Sequence, residues 1–210
     1  MIIITGASGG IGSYLVDRFR QHEMVTPIHH RDIDLTSEES ISKLYFDGSQ
    51  NITLIHCAGY NHNAFTSKMD FDEWKKVLSV NLDSAFLLSK HLIPIMREQN
   101  FGRIIFMSSV VPHIGVAGTC AYSASKMGLL GLMRSIVKEN ATKNITCNTL
   151  TLGYFNTGMI KQVPESNLQN IIESIPVKHL GDPQNIYNVV DCLMKSEYIN
   201  GAEIEITGGL

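Results

Sequence analysis

No two of the four cysteines stand close enough to form a CxxC pair: Cys57, Cys120, Cys147 and Cys192 are scattered along 210 residues. This spacing fits reduced thiols used as small buried residues better than a zinc or disulfide framework. No apolar run approaches the roughly 20 residues of a membrane-spanning helix. No stretch concentrates Lys or Arg, and the formal net charge is −3, so the electrostatic footprint for nucleic acid or an anionic membrane is missing. "MIIITG" enters a strand-like segment directly, leaving no space for a charged n-region, an h-region and a cleavage site, which predicts a cytoplasmic protein. There is no internal repeat, low-complexity tract or linker. With 44% hydrophobic residues, the chain suits one compact domain, residues 1–210, better than two.

What is present alternates. Strand-length apolar runs at Ile2–Thr5, Val25–Ile28, Thr53–Cys57, Arg103–Met107, Thr146–Leu150 and Glu203–Ile206 are separated by segments of helical period at Ile11–Gln21, Ser37–Tyr45, Phe71–Gln99, Tyr122–Asn140 and Pro183–Lys195. That order predicts an α/β fold, a doubly wound parallel sheet with helices on both faces. Thr36–Ser40 offers capping residues followed by acids, and Asp182-Pro183 places an N-cap before a helix-starting proline. One flank is pared down. After Ile28 only "HHRDIDL" precedes the next helix, too short for a crossover helix. A third strand is therefore at most a stub around Ile33–Leu35. Pro27, which cannot donate to a ladder, suits an edge strand.

"TGASGGIG", Thr5 to Gly12, follows the first strand and opens the first helix. A backbone that turns sharply, approaches a pyrophosphate and aims helix-start N–H groups at it needs residues without a Cβ, and Gly6, Gly10 and Gly12 fit. Asp34 could accept from an adenine amino group. An acid at the end of the second strand would suit the free ribose of NAD; here stand His29, His30 and Arg31, which favours NADP(H) over NAD(H).

"AYSASKMGLLG" sets Tyr122 and Lys126 at i and i+4 on one helical face. A neighbouring ammonium stabilises phenolate, so the pair predicts an acid–base tyrosine with a lowered pKa. Ser109 closes the strand before this helix, and Asn81 lies mid-helix in an apolar context where a buried amide needs a purpose.

In order and spacing, Thr5–Gly12, the Asn of "VNLDSAF", the strand-end Ser109 and the YxxxK of Tyr122–Lys126 resemble the short-chain dehydrogenase/reductase family, over nearly the whole chain from Ile2 to "ITGGL". The resemblance implies a three-layer Rossmann-like fold, shortened after the second strand. It also implies reduction of a ketone to a secondary alcohol, or the reverse. Tyr122 would be the general acid, Lys126 would hold the nicotinamide ribose, Ser109 would bond the substrate oxygen, and Asn81 would fix a water in a proton relay. Thr157 would bind the carboxamide. Gly6, Ser8, Gly10, Ile11, Gly12, Arg31, Asp34, Ala58 and Gly59 complete the implied cofactor set, with no metal. Small residues of the Tyr122 helix, among them Ala121, Ser123, Ala124, Ser125, Gly128 and Gly131, would allow close packing in a homodimer or homotetramer.

"FGRIIFMSSVV", "YSASKMGLLGLMRSI" and "PVKHLGDPQNI" are most similar to 3-oxoacyl-(acyl-carrier-protein) reductases, which implies an acyl-thioester or other small-molecule carbonyl substrate. Arg103 and Lys143 would then dock an acidic carrier protein. A polar segment, Gly153 to Pro176, is expected to form a lid whose Tyr154, Phe155, Met159 and Ile160 suit a partly apolar substrate. Two departures stand out: the family's NNAG is "HCAG", His56 to Gly59, and its Pro-Gly is Leu152-Gly153. His56 and Cys57 point to opposite faces of a strand, so they are expected to serve packing or loop bonding and not a metal. A sugar or specialised-metabolite ketone, and a non-catalytic NADP(H)-binding scaffold, are the alternatives.

Overall fold

The computed structural model describes residues 1–46 and 51–210. Its centre is a six-stranded, wholly parallel sheet built from β1 (Ile2–Thr5), β2 (Val25–Ile28), β3 (Thr53–His56), β4 (Gly102–Ser109), β5 (Ile145–Leu152) and β6 (Glu203–Ile206) in the order β2-β1-β3-β4-β5-β6. The central strands are buried along their whole length. Continuous β-branched runs such as Ile2-Ile3-Ile4 are what a strand covered on both faces requires.

Alternate residues feed two cores. On one face Ile3, Leu54, Ile104 and Phe106 pack against Leu88 and Leu92 of α4 (Ser84–Gln99) and Leu129 and Met133 of α6 (Cys120–Asn140). On the other, Ile2, Ile4, Ile55 and Ile105 meet Leu15 and Phe19 of α1 (Gly10–Phe19) and Ile186 and Val190 of α8 (Pro183–Lys195). The capping expected within Thr36–Ser40 and at Asp182 is present: Ser37 and Asp182 each accept from a first-turn amide, of α2 (Glu38–Ser42) and α8 respectively.

The expected stub strand at Ile33–Leu35 does not form. The backbone after β2 turns back on itself instead, Asp32 N donating to His29 O at 3.0 Å and Ser37 N to Asp34 O at 3.2 Å, while Leu35 drops into the core. β2 is thus the sheet edge, which accommodates Pro27. The order in which successive strands are added to the sheet reverses between β1 and β3, so the crevice of a doubly wound sheet lies beyond their carboxyl ends.

The long helix expected over Phe71–Gln99 is interrupted. α3 (Phe71–Leu78) passes through a π turn at Ser79–Asp83 before α4 resumes. The proposed lid carries a helix of its own, α7 (Glu165–Ser174), and a short helix α5 (Val111–Ile114) follows β4. Of the four cysteines Cys147 is buried, Cys57 and Cys120 are partly covered and Cys192 is exposed, so the expectation of buried thiols holds fully only for Cys147.

Candidate active site

β4 ends at Ser109 beside the first turns of α6, and this join assembles the site. Ser109 Oγ accepts from the Val111 amide at 3.2 Å, which holds the hydroxyl at the strand's carboxyl end. Tyr122 and Lys126 lie on the buried face of α6, as their spacing predicts. Lys126 Nζ donates to the Met107 carbonyl at 2.8 Å, and Ser108 Oγ donates to the Lys126 carbonyl at 3.1 Å, clamping helix to strand from both sides.

Asn81 sits in the π turn, fully buried and held by three hydrogen bonds. Its Oδ1 accepts from Tyr60 N at 2.7 Å, and its Nδ2 donates to Tyr60 O at 3.0 Å and Ser125 Oγ at 2.9 Å. A π turn in an α-helix often marks a functional position, because the extra residue redirects a side chain. Gly59 lies between the two polar groups: a Cβ there would stand 3.7 Å from both Asn81 Oδ1 and Lys126 Nζ.

The electrostatics correct one expectation. The phenol of Tyr122 is pushed above its ordinary value, chiefly by burial; a hydrogen bond from Ser109 lowers it and Tyr154 raises it further. Burial also takes Lys126 down to about 8. The ammonium is turned toward the Met107 carbonyl, with its nitrogen 5.6 Å from the Tyr122 ring centroid. In the protein alone, desolvation therefore outweighs any stabilisation of phenolate by Lys126.

At the nucleotide end, Gly6 has φ +61°, and a Cβ there would come within 2.7 Å of the Cys57 carbonyl. Only glycine suits that turn. Gly10 lacks room for another reason: a Cβ would collide with Thr157 Oγ1 and the Gly158 amide, so Thr157 closes directly over the glycine loop. Ile11 and Gly12 occupy the first turn of α1, whose N-cap, Gly9, contributes no side-chain cap. First-turn amides left without such a cap favour an anion, so the loop fits a nucleotide pyrophosphate. Ala58 donates its amide to Thr5 Oγ1 at 3.0 Å.

At the end of β2, Ser8 Oγ and His30 Nδ1 stand 3.5 Å apart, while Arg31 is exposed with its Nε 3.8 Å from Asp32. Asp34 accepts from the Thr36 amide at 2.9 Å and hydroxyl at 2.6 Å, bonds that hold its carboxyl below the usual range. Among the described residues no cluster of His, Cys, Asp or Glu could hold a metal ion.

Two further expectations are overturned. Arg103 is buried at 4% exposure, its guanidinium bonding the carbonyls of Gly102, Asn144 and Met194 at 2.9, 2.9 and 3.2 Å. It opens β4, and Lys143 just precedes β5, so both lie at the amino-terminal edge of the sheet, away from Ser109 and Tyr122. Neither can dock a carrier at the site's mouth. Phe155 and Ile160 are likewise buried, leaving half-buried Tyr154 and exposed Met159 as open apolar surface of the lid. Within the chain Gly128 meets the Leu82 side chain closely, whereas Gly131 has nothing within 4 Å. Sequence reasoning also missed the Tyr60 and Ser125 partners of Asn81; Ser125 carried a signal only as one more small residue in "YSASK".

The sheet, the glycine loop and the Ser109, Tyr122 and Lys126 join define a nucleotide-dependent oxidoreductase of the doubly wound class. The family described as Enoyl-(Acyl carrier protein) reductase matches residues 12–210, and the chain belongs to the short-chain dehydrogenase/reductase family, whose members use nicotinamide cofactors. It is 33% identical to the 3-oxoacyl-(acyl-carrier-protein) reductase FabG of Aquifex aeolicus, over all of this chain and 86% of that protein. It is 29% identical to the reductase MabA of Mycobacterium bovis, over all of this chain and 92% of the relative. Identity to the (3R)-3-hydroxyacyl-CoA dehydrogenase of Canis lupus familiaris is 36%, over 75% of this chain and 62% of that one. An Agrobacterium tumefaciens structure, assigned provisionally to gluconate dehydrogenation, superposes with TM-score 0.88 over 99% of this chain and 94% of that one at 23% identity, a likeness of fold.

Proposed function

We propose that this oxidoreductase is a ketoreductase of the 3-oxoacyl-thioester type, preferring NADP(H), with Ser109, Tyr122, Lys126 and Asn81 as its working residues. The observation that carries the reading is the clamp of α6 onto the end of β4, which sets a buried phenol beside the Ser109 hydroxyl. Nicotinamide, when bound, supplies or accepts hydride at its C4. Tyr122, protonated at neutral pH like any phenol, donates its proton to the carbonyl oxygen as the carbon is reduced. Ser109 donates a hydrogen bond to the same oxygen and opposes charge build-up there. Lys126, held on Met107, would offer its remaining N–H donors to a ribose hydroxyl, and Asn81 with the Tyr60 backbone would hold the water that returns the proton to Tyr122.

The glycine loop, Ser8 and the amides of Ile11 and Gly12 would cradle the pyrophosphate, with Ala58 and Gly59 beneath the adenosine and Thr157 at the carboxamide. His30 and Arg31 at the end of β2 favour a 2′-phosphate over a free diol. No helix among the described residues is long and apolar enough to cross a membrane; the cytoplasmic location belongs to this reading alone. Exposed Phe86 and Met127 on α4 and α6 support a homodimer through those helices. The test is NADPH oxidation against a panel of 3-oxoacyl thioesters and small ketones. Turnover restricted to sugars, or none on any ketone, would overturn the substrate class.

A further inference from the structure

His56 is fully buried and stands where the family carries an amide. Its surroundings dictate a single tautomer. Thr5 Oγ1 already accepts from the Cys57 amide at 3.1 Å and the Ala58 amide at 3.0 Å, which uses both of its lone pairs. Its one proton therefore points at His56 Nδ1, 3.0 Å away, and Nδ1 must accept. On the far side of the ring, Ser84 Oγ spends its proton on the Val80 carbonyl at 2.6 Å. Ser84 can then only accept from His56, so Nε2, at 3.2 Å, carries the hydrogen. Each donor in this run meets one acceptor.

The run starts on β1, crosses β3 and ends inside the π turn. Val80 immediately precedes Asn81, and Ser84 is the residue whose amide makes the wide bond to Ser79 O that defines the turn. Neutral imidazole is thus a rigid spacer that ties the turn to the sheet. Its T-shaped contact with Phe106, centroids 6.3 Å apart, fixes the ring plane.

We propose that His56 is a positioning residue: as the Nε2–H tautomer it locks Ser84 onto Val80 and so sets the register of the π turn that presents Asn81 to Tyr60 and Ser125. Burial and the nearby Lys126 ammonium hold its pKa down to about 3, which keeps the ring neutral throughout the working range. An ionised ring would place N–H against the Thr5 hydroxyl, whose lone pairs are already taken. The catalytic part of the inference rests on the role assigned to Asn81 above; the tautomer and the geometry of the turn do not.

The experiment therefore has two arms. In wild-type protein, ¹⁵N-imidazole NMR should show His56 as a neutral Nε2–H ring that does not titrate between about pH 5 and 8. A titrating ring, or the Nδ1–H tautomer, overturns the proposal whether or not the enzyme turns over. In His56→Leu, and separately in the milder Ser84→Ala should the first variant fail to fold, the Asn81 side-chain amide should lose its protection from hydrogen exchange. In the same variants kcat should fall about tenfold with KM for the cofactor little changed, and His56→Asn should restore part of the loss by offering an acceptor and a donor again. Undisturbed Asn81 protection in both variants refutes the positioning role. If protection is lost but kcat is unchanged, the site reading for Asn81 fails, while the link from His56 to the turn stands.

Discussion

Lys126 gives its ammonium to the Met107 carbonyl at 2.8 Å, so the cation beside Tyr122 is anchored to the sheet and not to the phenol. Burial lowers its pKa from 10.5 to about 8. A lowered lysine pKa means that the unfolded chain binds the proton more tightly than the folded one. The resulting penalty is complete below about pH 8 and is relieved as pH rises toward 10.5. Removing the charge in Lys126→Met should therefore help stability more near pH 7 than near pH 9.5, the difference being about 2 kcal/mol by urea unfolding of cofactor-free protein. A difference independent of pH would show that the folded pKa is not lowered and that the buried ammonium stays charged across this range. Activity should be lost in the variant at every pH.

Tyr122→Phe keeps the ring that packs with Val77 and Ala121 and deletes only the hydroxyl. Stability should change by about 1 kcal/mol or less. Turnover should drop by about 10²- to 10⁴-fold, the range for a general acid. Cofactor affinity, read by fluorescence titration of NADPH, should hold; wild-type turnover in the variant would remove Tyr122 from the chemistry.

Gly6→Ala tests the turn under the nucleotide. With φ +61° and the Cys57 carbonyl 2.7 Å from the added carbon, the substitution should cost about 1–3 kcal/mol in denaturant unfolding. It should weaken cofactor binding as well, because the added carbon also presses on the Ala58 amide just beyond β3. A variant with native stability would mean that the turn relaxes freely.

Arg31→Asp reverses the exposed charge at the end of β2. The ratio of kcat/KM for NADPH to that for NADH should fall by about tenfold or more, the worth of one charge-assisted phosphate contact. An unchanged ratio would move recognition of the 2′ position away from Arg31.

Phe86 and Met127 project from neighbouring helices at 48% and 43% exposure. Phe86→Glu combined with Met127→Glu should dissociate a dimer formed on that face, as followed by light scattering at micromolar concentration. A wild-type monomer under the same conditions would contradict the assembly.

The parallel sheet, the glycine loop and the Tyr122–Lys126 pair were legible because each depends on local spacing. Apolar period, a missing Cβ and an i, i+4 interval are properties of neighbours along the chain. The Asn81 environment was half legible: an amide in an apolar helix announced a purpose, but its partners, Tyr60 and Ser125, come from other segments. Arg103 shows the opposite failure. A basic residue in a sequence reads as solvated charge, and only the closing of β4 on β5 and α8 turned it into a buried donor for three carbonyls.

Residue order along the chain was enough to establish the class of fold, the glycine turn between β1 and α1 and the shared helix face of Tyr122 and Lys126, because these follow from short-range geometry. Direction of titration, the partner of the Lys126 ammonium, the loss of the stub strand and the linkage of His56 through Ser84 to the π turn were decided by folding. Those depend on desolvation and on which distant donors and acceptors the sheet brings within hydrogen-bond reach, quantities that exist only once the chain has closed on itself.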